Sequence, residues 1–430
     1  MLAKLIKLNK LFATATFRQS MLTTIAVGIN GVLGVCFFVL VARFLGPVEF
    51  GIFSIAIATI SMVADIADFG TNTGIVRFIP KYLNQKTTDA YKLLKLSLEI
   101  KAVVWFIVLI VGISAASFIA EIIFKKPELT LPLQLSFIGV GGAMLFSFTQ
   151  ASLQAYQKYK IWSFVNIFSN SLRLIIFLLI ALAGFGQLPA SLFIYLGLPF
   201  CGFLLGLWFL PIKNIIRAKN EIEMLKDFRS FSWSVGIFTV IAAISGRLDT
   251  YIGARLLSPQ ELGVYGAAVQ LNSFILQIIG AIGVVVAPKF ASFDTLDKMI
   301  AYLKKFQILV VLLALIILIG SPLVFIIFPW FYGNGYEMLP RIFLIYLVGM
   351  LIYLISVPVH TVIFYYFSKP QIFIYLAIGH LFLILGLATI LTQYFGIIGL
   401  TIAVVVGMVF NLLVPLFYVL NRINKGKLNG

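Results

Sequence analysis

The charge-free runs of this chain decide what it can fold into. They extend from Gln19 to Ala42, Leu129 to Gln157, Leu174 to Ile212 and Pro370 to Asn421, with others over 102–120, 262–288 and 306–336. A hydrocarbon core of about 30 Å takes about 20 helical residues, so the longest runs must each hold two spans. Lipid offers no partner to a backbone N–H or C=O, and runs of this length satisfy their own groups only as helices. Charged residues make up 11% of the sequence, against about 25% in a soluble domain, which excludes a water-soluble fold.

The runs and their flanks place spans over 17–42, 48–69, 96–123, 131–156, 161–183, 189–211, 231–254, 260–287, 306–329, 338–366, 370–393 and 397–420. The chain reads as an all-α polytopic membrane protein of about 12 transmembrane helices. With connections assigned alternately to the two sides, 25 Lys and Arg fall on one side and five on the other: Arg43, Lys125, Lys126, Arg255 and Arg341. That asymmetry puts both termini in the cytoplasm, in a multi-pass protein of the cytoplasmic membrane. The net charge of +17 therefore reports topology, and no nucleic-acid partner is expected. Leu2, Lys4, Leu5, Lys7, Leu8 and Lys10 alternate as in a short surface helix before the first span. The apolar stretch after Arg18 is too long for a signal-peptide core. Cys36 and Cys201 both fall within spans, which leaves no disulfide framework and no metal-ligand spacing.

The chain is also a duplication. At an offset of 212, residues 42–57 align with 254–269, and seven of sixteen positions are identical, among them Arg43/Arg255, Pro47/Pro259, Glu49/Glu261 and Gly51/Gly263. At 208, Pro80-Lys81 meets Pro288-Lys289, Gly112 meets Gly320 and Leu131-Pro132 meets Leu339-Pro340; at 210, Phe185-Gly186 meets Phe395-Gly396. Six spans per copy is an even number, so both copies enter the membrane in the same sense, as two parallel six-helix lobes. The expected division is 1–212, a cytoplasmic linker 213–230, and 231–430. In the shared turn a helix ends at its Arg, Gly or Ser permits the turn, Pro starts the next helix where its missing N–H costs nothing, and Glu sits at that helix's positive end.

The turn Ala42–Gly51, the segment Asp68–Lys81, and Arg247-Leu-Asp249 followed by Gly253–Pro259 resemble the polysaccharide transporter branch of the multidrug/oligosaccharidyl-lipid/polysaccharide (MOP) flippase superfamily. The resemblance is essentially full length and says little about cargo. It implies a MOP/MATE-like fold with a central cavity bordered by the first two helices of each lobe. It implies flipping of undecaprenyl- or dolichyl-linked oligosaccharides for O-antigen, capsule or related glycans, with membrane lipids and glycan polymerase or assembly proteins as further partners.

Charges inside spans cost about 2.5 to 3.5 kcal/mol each on insertion scales and so require a cavity, a partner or an interface. Arg247 and Asp249 are the first candidates; in a regular helix they would point about 200° apart. Their aligned positions, Val35 and Phe37, are apolar, so this polarity belongs to the second lobe alone. Arg173 lies three residues after Asn170, which aligns with His380, a polar position in both lobes. A pyrophosphate cargo favours forked guanidinium donors, which makes Arg247, Arg173 and Arg43 the expected contacts, with Asp249, Asn170 and His380 as further cavity residues. For Arg43 and Arg255 the competing expectation is a helix-end charge meeting headgroups and carbonyls. Asp65 and Asp68 share a helix face; two close carboxylates raise the proton affinity of one, which suits ion coupling, whereas water at the helix end or Arg77 could instead satisfy them. His360 is expected in a helix contact.

The favoured function is a flippase for lipid-linked oligosaccharide that works by alternating access, drawing on an H+ or Na+ gradient or on the membrane potential and using no cofactor. The alternative is a MATE-like cation-coupled exporter of drugs or other small molecules, which a cavity richer in acids than arginines would favour. A membrane polymerase or ligase would need a sizeable outer loop, and the outer connections here are a few residues long. No Gly-rich phosphate loop with Lys and Ser/Thr is present, so ATP hydrolysis is not expected.

Overall fold

A computed structural model describes residues 15–219 and 225–428. The surface helix expected at the start of the chain and part of the linker 213–230 lie outside the described residues. The described chain is helical nearly throughout: α1 (15–45), α2 (47–68), α3 (Thr71–Gln85), α4 (Thr87–Phe118), α5 (Thr130–Ala155), α6 (Tyr159–Ile180), α7 (Leu188–Trp208), α8 (Ile212–Arg217), α9 (Leu225–Ser245), α10 (Leu248–Leu256), α11 (Pro259–Ala291), α12 (Leu296–Gly320), α13 (Val324–Tyr332), α14 (Leu339–Thr361), α15 (371–395) and α16 (397–428).

Ten continuous helical stretches among the described residues are long and apolar enough to cross a membrane. Two of them are double. At about 1.5 Å per residue, the 55 residues from Gln371 to Lys425 would run about 80 Å, far beyond one bilayer. They fold back at Gly396 (φ +56°), since Gly379 lies against the ring of Phe410 and Gly407 against His380. The 48 residues from Met21 to Asp68 are broken at Gly46 (φ +69°), whose counterpart Ser258 separates α10 from α11. Twelve spans result, and the protein is a multi-pass membrane protein.

Two boundaries differ from the expected ones. The third and ninth spans start earlier, at Thr87 and Leu296, because their polar first turns continue the helix before it turns apolar. The span expected as one helix over 231–254 is interrupted at Gly246-Arg247.

Packing groups the residues into two compact units that are not the duplicated halves. The first contains the chain to Phe37, Thr59–Ile119 and Thr130–Val240; the second contains Phe38–Ala58, Ala120–Leu129 and Ile241 onward. Within the first unit, α4 and α5 approach so closely that a Cβ at Gly112 or Gly141 would strike the rings of Phe137 or Trp105. Small residues permitting close packing are the usual device for associating helices in lipid, where no hydrophobic drive exists between them. A further core forms where α3 lays Ile75 and Ile79 against Leu94, Phe148 and Phe228. Within the second unit, α14 packs along α11 and α16, with Leu339, Ile342 and Leu354 fully buried.

Candidate functional site

The second unit contains a clasp that repeats itself under the internal alignment. Arg43 donates from Nη1 to the carbonyls of Trp330 (2.6 Å) and Phe331 (3.4 Å). Its counterpart Arg255 donates from Nη1 to the carbonyls of Ile122 (2.9 Å) and Ile123 (2.7 Å), the positions equivalent to 330 and 331. These are late carbonyls of apolar helical stretches, which lack partners of their own and attract cations. The two turns also face each other in kind. A Cβ at Gly51 would lie 2.6 Å from the carbonyl oxygen of Pro259, and one at Gly263 would overlap that of Pro47. Only glycine allows both approaches. Tyr336 donates to the carbonyl of Ala42 (3.0 Å), and Lys126 to those of Ala254 and Leu257 (2.7 Å each). Burial holds the Lys126 ammonium below the usual lysine value, opposed by the charges of Glu128 and then Glu261. In the second turn Ser258 and Glu261 form a capping box.

The same unit holds a polar cluster whose Asp249 and Tyr265 replace aromatic residues of the first half. The α9–α10 break brings Asp249 into the protein, 7% exposed, where its carboxylate accepts from the Tyr265 hydroxyl. Tyr346 lies edge-on to Tyr265 at 6.0 Å. Arg247, half-buried at the break, makes no hydrogen bond or salt bridge to a described side chain; its charge reaches Asp249 and Tyr346 through space. Just before the break, Ser245 bonds Nδ1 of His380 (2.7 Å), and the buried Nε2 of His380 has no partner among the described residues. The sequence gives Asp249 but not Tyr265; the available signal was that Tyr265 aligns with Phe53, just as Asp249 aligns with Phe37.

In the first unit, α6 carries Asn166, Asn170 and Arg173 on one face, at spacings of four and three. Asn166 donates to Gln150, and Asn170 donates to Asn30 (2.8 Å). Arg173 stacks over Tyr195 (4.8 Å) and Phe37 (5.7 Å), and its Nε is buried without a partner. No carboxylate bridges it among the described residues.

Asp68 forms a buried ion pair with Lys101, which is fully buried, and also accepts from Thr71 Oγ1 (2.8 Å) and the Asn72 amide (3.3 Å). Lys101 lies five residues inside the span expected over 96–123, although the charge count takes it with the cytoplasmic connection. Asp65 is exposed on the same helix as Asp68. Arg77 stacks on Phe231 (4.3 Å) and is not bridged to either acid in the described structure. His360 bonds the carbonyl of Asn411 (2.8 Å), the helix contact expected of it. Groups of three or more His, Cys, Asp or Glu able to hold a metal are absent among the described residues.

The described residues form twelve spans in duplicated order, a fold shared with solved membrane transporters. Solved structures agree over nearly the whole chain. An inward-facing multidrug resistance MATE family transporter matches with a TM-score of 0.77 at 15% identity over 95% of this chain and 99% of that one. The lipid II flippase MurJ, in an inward closed conformation, matches at 0.73 and 17% over 95% and 90%. A MOP superfamily transporter from Pyrococcus furiosus, noted for a binding pocket of reversed polarity, matches at 0.66 and 15% over 95% of each chain. By sequence, no curated protein matches the chain at a significant level. Residues 17–294 match the polysaccharide biosynthesis protein family, and the chain belongs to that family.

Proposed function

We propose that the protein translocates a lipid-linked oligosaccharide, a sugar chain on a polyprenyl pyrophosphate, across the cytoplasmic membrane by alternating access, for assembly of a cell-surface polysaccharide of the O-antigen type. The observation that carries this reading is Arg247, a guanidinium at a helix break inside a span of a polysaccharide biosynthesis protein, bridged to no described carboxylate. Arginine keeps its charge under all physiological conditions and offers forked donors that fit phosphate. Away from water its attraction for a diphosphate is several times stronger than in bulk solvent. Asp249 is engaged by Tyr265 and leaves those donors to the cargo. Arg173 and Asn170 supply a second set of donors in the first unit, whereas Arg43 serves the clasp. His380 lines the second-unit site through its unpartnered nitrogen.

Movement is driven by an H+ or Na+ gradient or by the membrane potential. Asp68 is the group through which a proton would act, because neutralising it strips Lys101 of its counter-charge; exposed Asp65 would deliver that proton. Both termini face the cytoplasm, and the exported glycan passes to polymerase and assembly proteins. The test is translocation of a fluorescent lipid-linked oligosaccharide in proteoliposomes. Arg247→Ala should abolish it with protein yield and melting temperature unchanged. Full activity of that variant would remove Arg247 from the site. Export of a small organic cation, with no lipid transport by the unaltered protein, would overturn the flippase reading in favour of an exporter.

A further inference from the structure

The two copies tie equivalent helices together with different chemistry. In the first unit, Asn170 on α6 donates to Asn30 on α1 (2.8 Å). In the second, His380 on α15, the repeat of α6, bonds through Nδ1 to Ser245 on α9, the repeat of α1 (2.7 Å). An amide pair takes up no proton near neutral pH, whereas an imidazole does. The titratable tie also stands where the helix is broken. Ser245 is the last residue of α9, Gly246 follows it, and Arg247 leaves the helix at φ −128°, ψ −1°. The equivalent stretch of α1, residues 33–35, runs on without a break.

Room for the imidazole is made by Gly407 on α16, where a Cβ would lie 2.7 Å from Nε2. That nitrogen is buried and has no partner among the described residues. A neutral ring meets this by keeping its proton on Nδ1, donated to Ser245, and turning a lone pair to Gly407, because an unmet acceptor is tolerated more often than an unmet N–H. A second proton would put a charged N–H against a Cα. Along α10, α14, α15 and α16 the one carboxylate is Asp249, and Tyr265 already holds it. Arg247 is the nearest cation in sequence. Helix α14, which packs on α15, adds Tyr346, Tyr353 and His360, the last bonded to the Asn411 carbonyl. Residues 397–417 of α16 add no titratable group, and α15 itself adds the exposed Tyr375 and Tyr394. Protonation is therefore coupled to movement of the ring away from Gly407, and the Ser245 tie goes with it.

We propose that His380 is a proton-responsive positioning residue for Arg247. Neutral, it pins the end of α9 and fixes the guanidinium that follows; protonated, it frees the break and Arg247 loses its placement. The proposal rests on the reading that puts the cargo phosphate at Arg247, and adds what holds that guanidinium and what releases it.

The experiment follows amide deuterium exchange across the break, residues 243–252, by mass spectrometry of the full-length protein in vesicles. Rates are compared at about pH 8 and about pH 4.5, on either side of the ordinary histidine range, after correction for the intrinsic pH dependence of exchange. In the unaltered protein exchange should rise about tenfold at the acid value. His380→Gln, whose amide reaches Ser245 but takes up no proton, should exchange alike at both. Ser245→Ala, and Gly407→Ala with its methyl against the ring, should exchange fast at both with His380 intact. His360→Gln, which alters the only other histidine, should keep the full response. Equal exchange of the unaltered protein at the two values would overturn the proposal, as would an undiminished rise in His380→Gln or slow exchange at about pH 8 in both Ser245→Ala and Gly407→Ala. Exchange needs no cargo, so the translocation assay separates the two readings. A protein that transports with pH-independent exchange loses the His380 assignment and keeps the flippase reading; one that shows the response but moves no lipid-linked oligosaccharide keeps the tie and loses the flippase reading.

Discussion

The clasp and the helix break lie in the same unit, yet they were built on opposite rules. In the clasp, the arginines, the glycines and the acceptor carbonyls have partners in the other copy: Arg43 with Arg255, Gly51 with Gly263, and carbonyls 330 and 331 with 122 and 123. At the break, Asp249 and Tyr265 stand where the first copy has Phe37 and Phe53. The first copy has its own private polarity in Asp68–Lys101, whose lysine aligns with Leu309. Duplication thus preserved the main-chain contacts of the two turns, and each copy diverged where charge is buried. The contrast teaches that the shared features bond main chain, whereas the private ones bury charge.

The largest effect should come from breaking a private pair. Asp68→Leu leaves a fully buried ammonium uncompensated, and removing one partner of a buried pair costs about 3 to 5 kcal/mol. Thermal melting in detergent would read it, and the double variant with Lys101→Met should recover most of the loss; no recovery would mean the pair is not the unit. Next comes the clasp, where Gly263→Ala forces a methyl onto the Pro47 carbonyl and should cost about 3 kcal/mol of stability, more than Gly51→Ala. An unchanged melting temperature in Gly263→Ala would refute the close approach of the two turns. Tyr265→Phe should then cost about 2 kcal/mol by withdrawing a donor from a buried carboxylate. Adding Asp249→Phe copies the first half; it should restore the melting temperature and leave transport absent, and active transport would show that the asymmetry has no function. Smallest are Arg43→Ala and Arg255→Ala, about 1 kcal/mol each since both arginines are partly solvated. The two should match; a large inequality would break the symmetry argument.

The fold was legible because bilayer physics leaves few choices. Charge-free runs located the spans, and the Arg-Pro-Glu-Gly turn identified the copies. The candidate site was legible where a polar or ionisable residue interrupted an apolar run, as Asn170, Arg173, Arg247 and Asp249 do. Tyr265 escaped because a tyrosine on an apolar helix carries no mark of what its hydroxyl meets. Lys101 escaped because a lysine near a span boundary reads equally as snorkelling or buried, and only the position of Asp68 separates the two.

The clasp carries a lesson for genetics. Arg43 and Arg255 bond main-chain oxygens, which every amino acid possesses, so no partner side chain exists with which either arginine could coevolve or be swapped. A charge-reversal screen would find nothing at residues 122, 123, 330 or 331. Suppressors of an Arg43 defect should arise instead where the backbone is presented, such as Pro329 just before its acceptors, or Gly333, whose left-handed φ of +77° ends α13 beyond them.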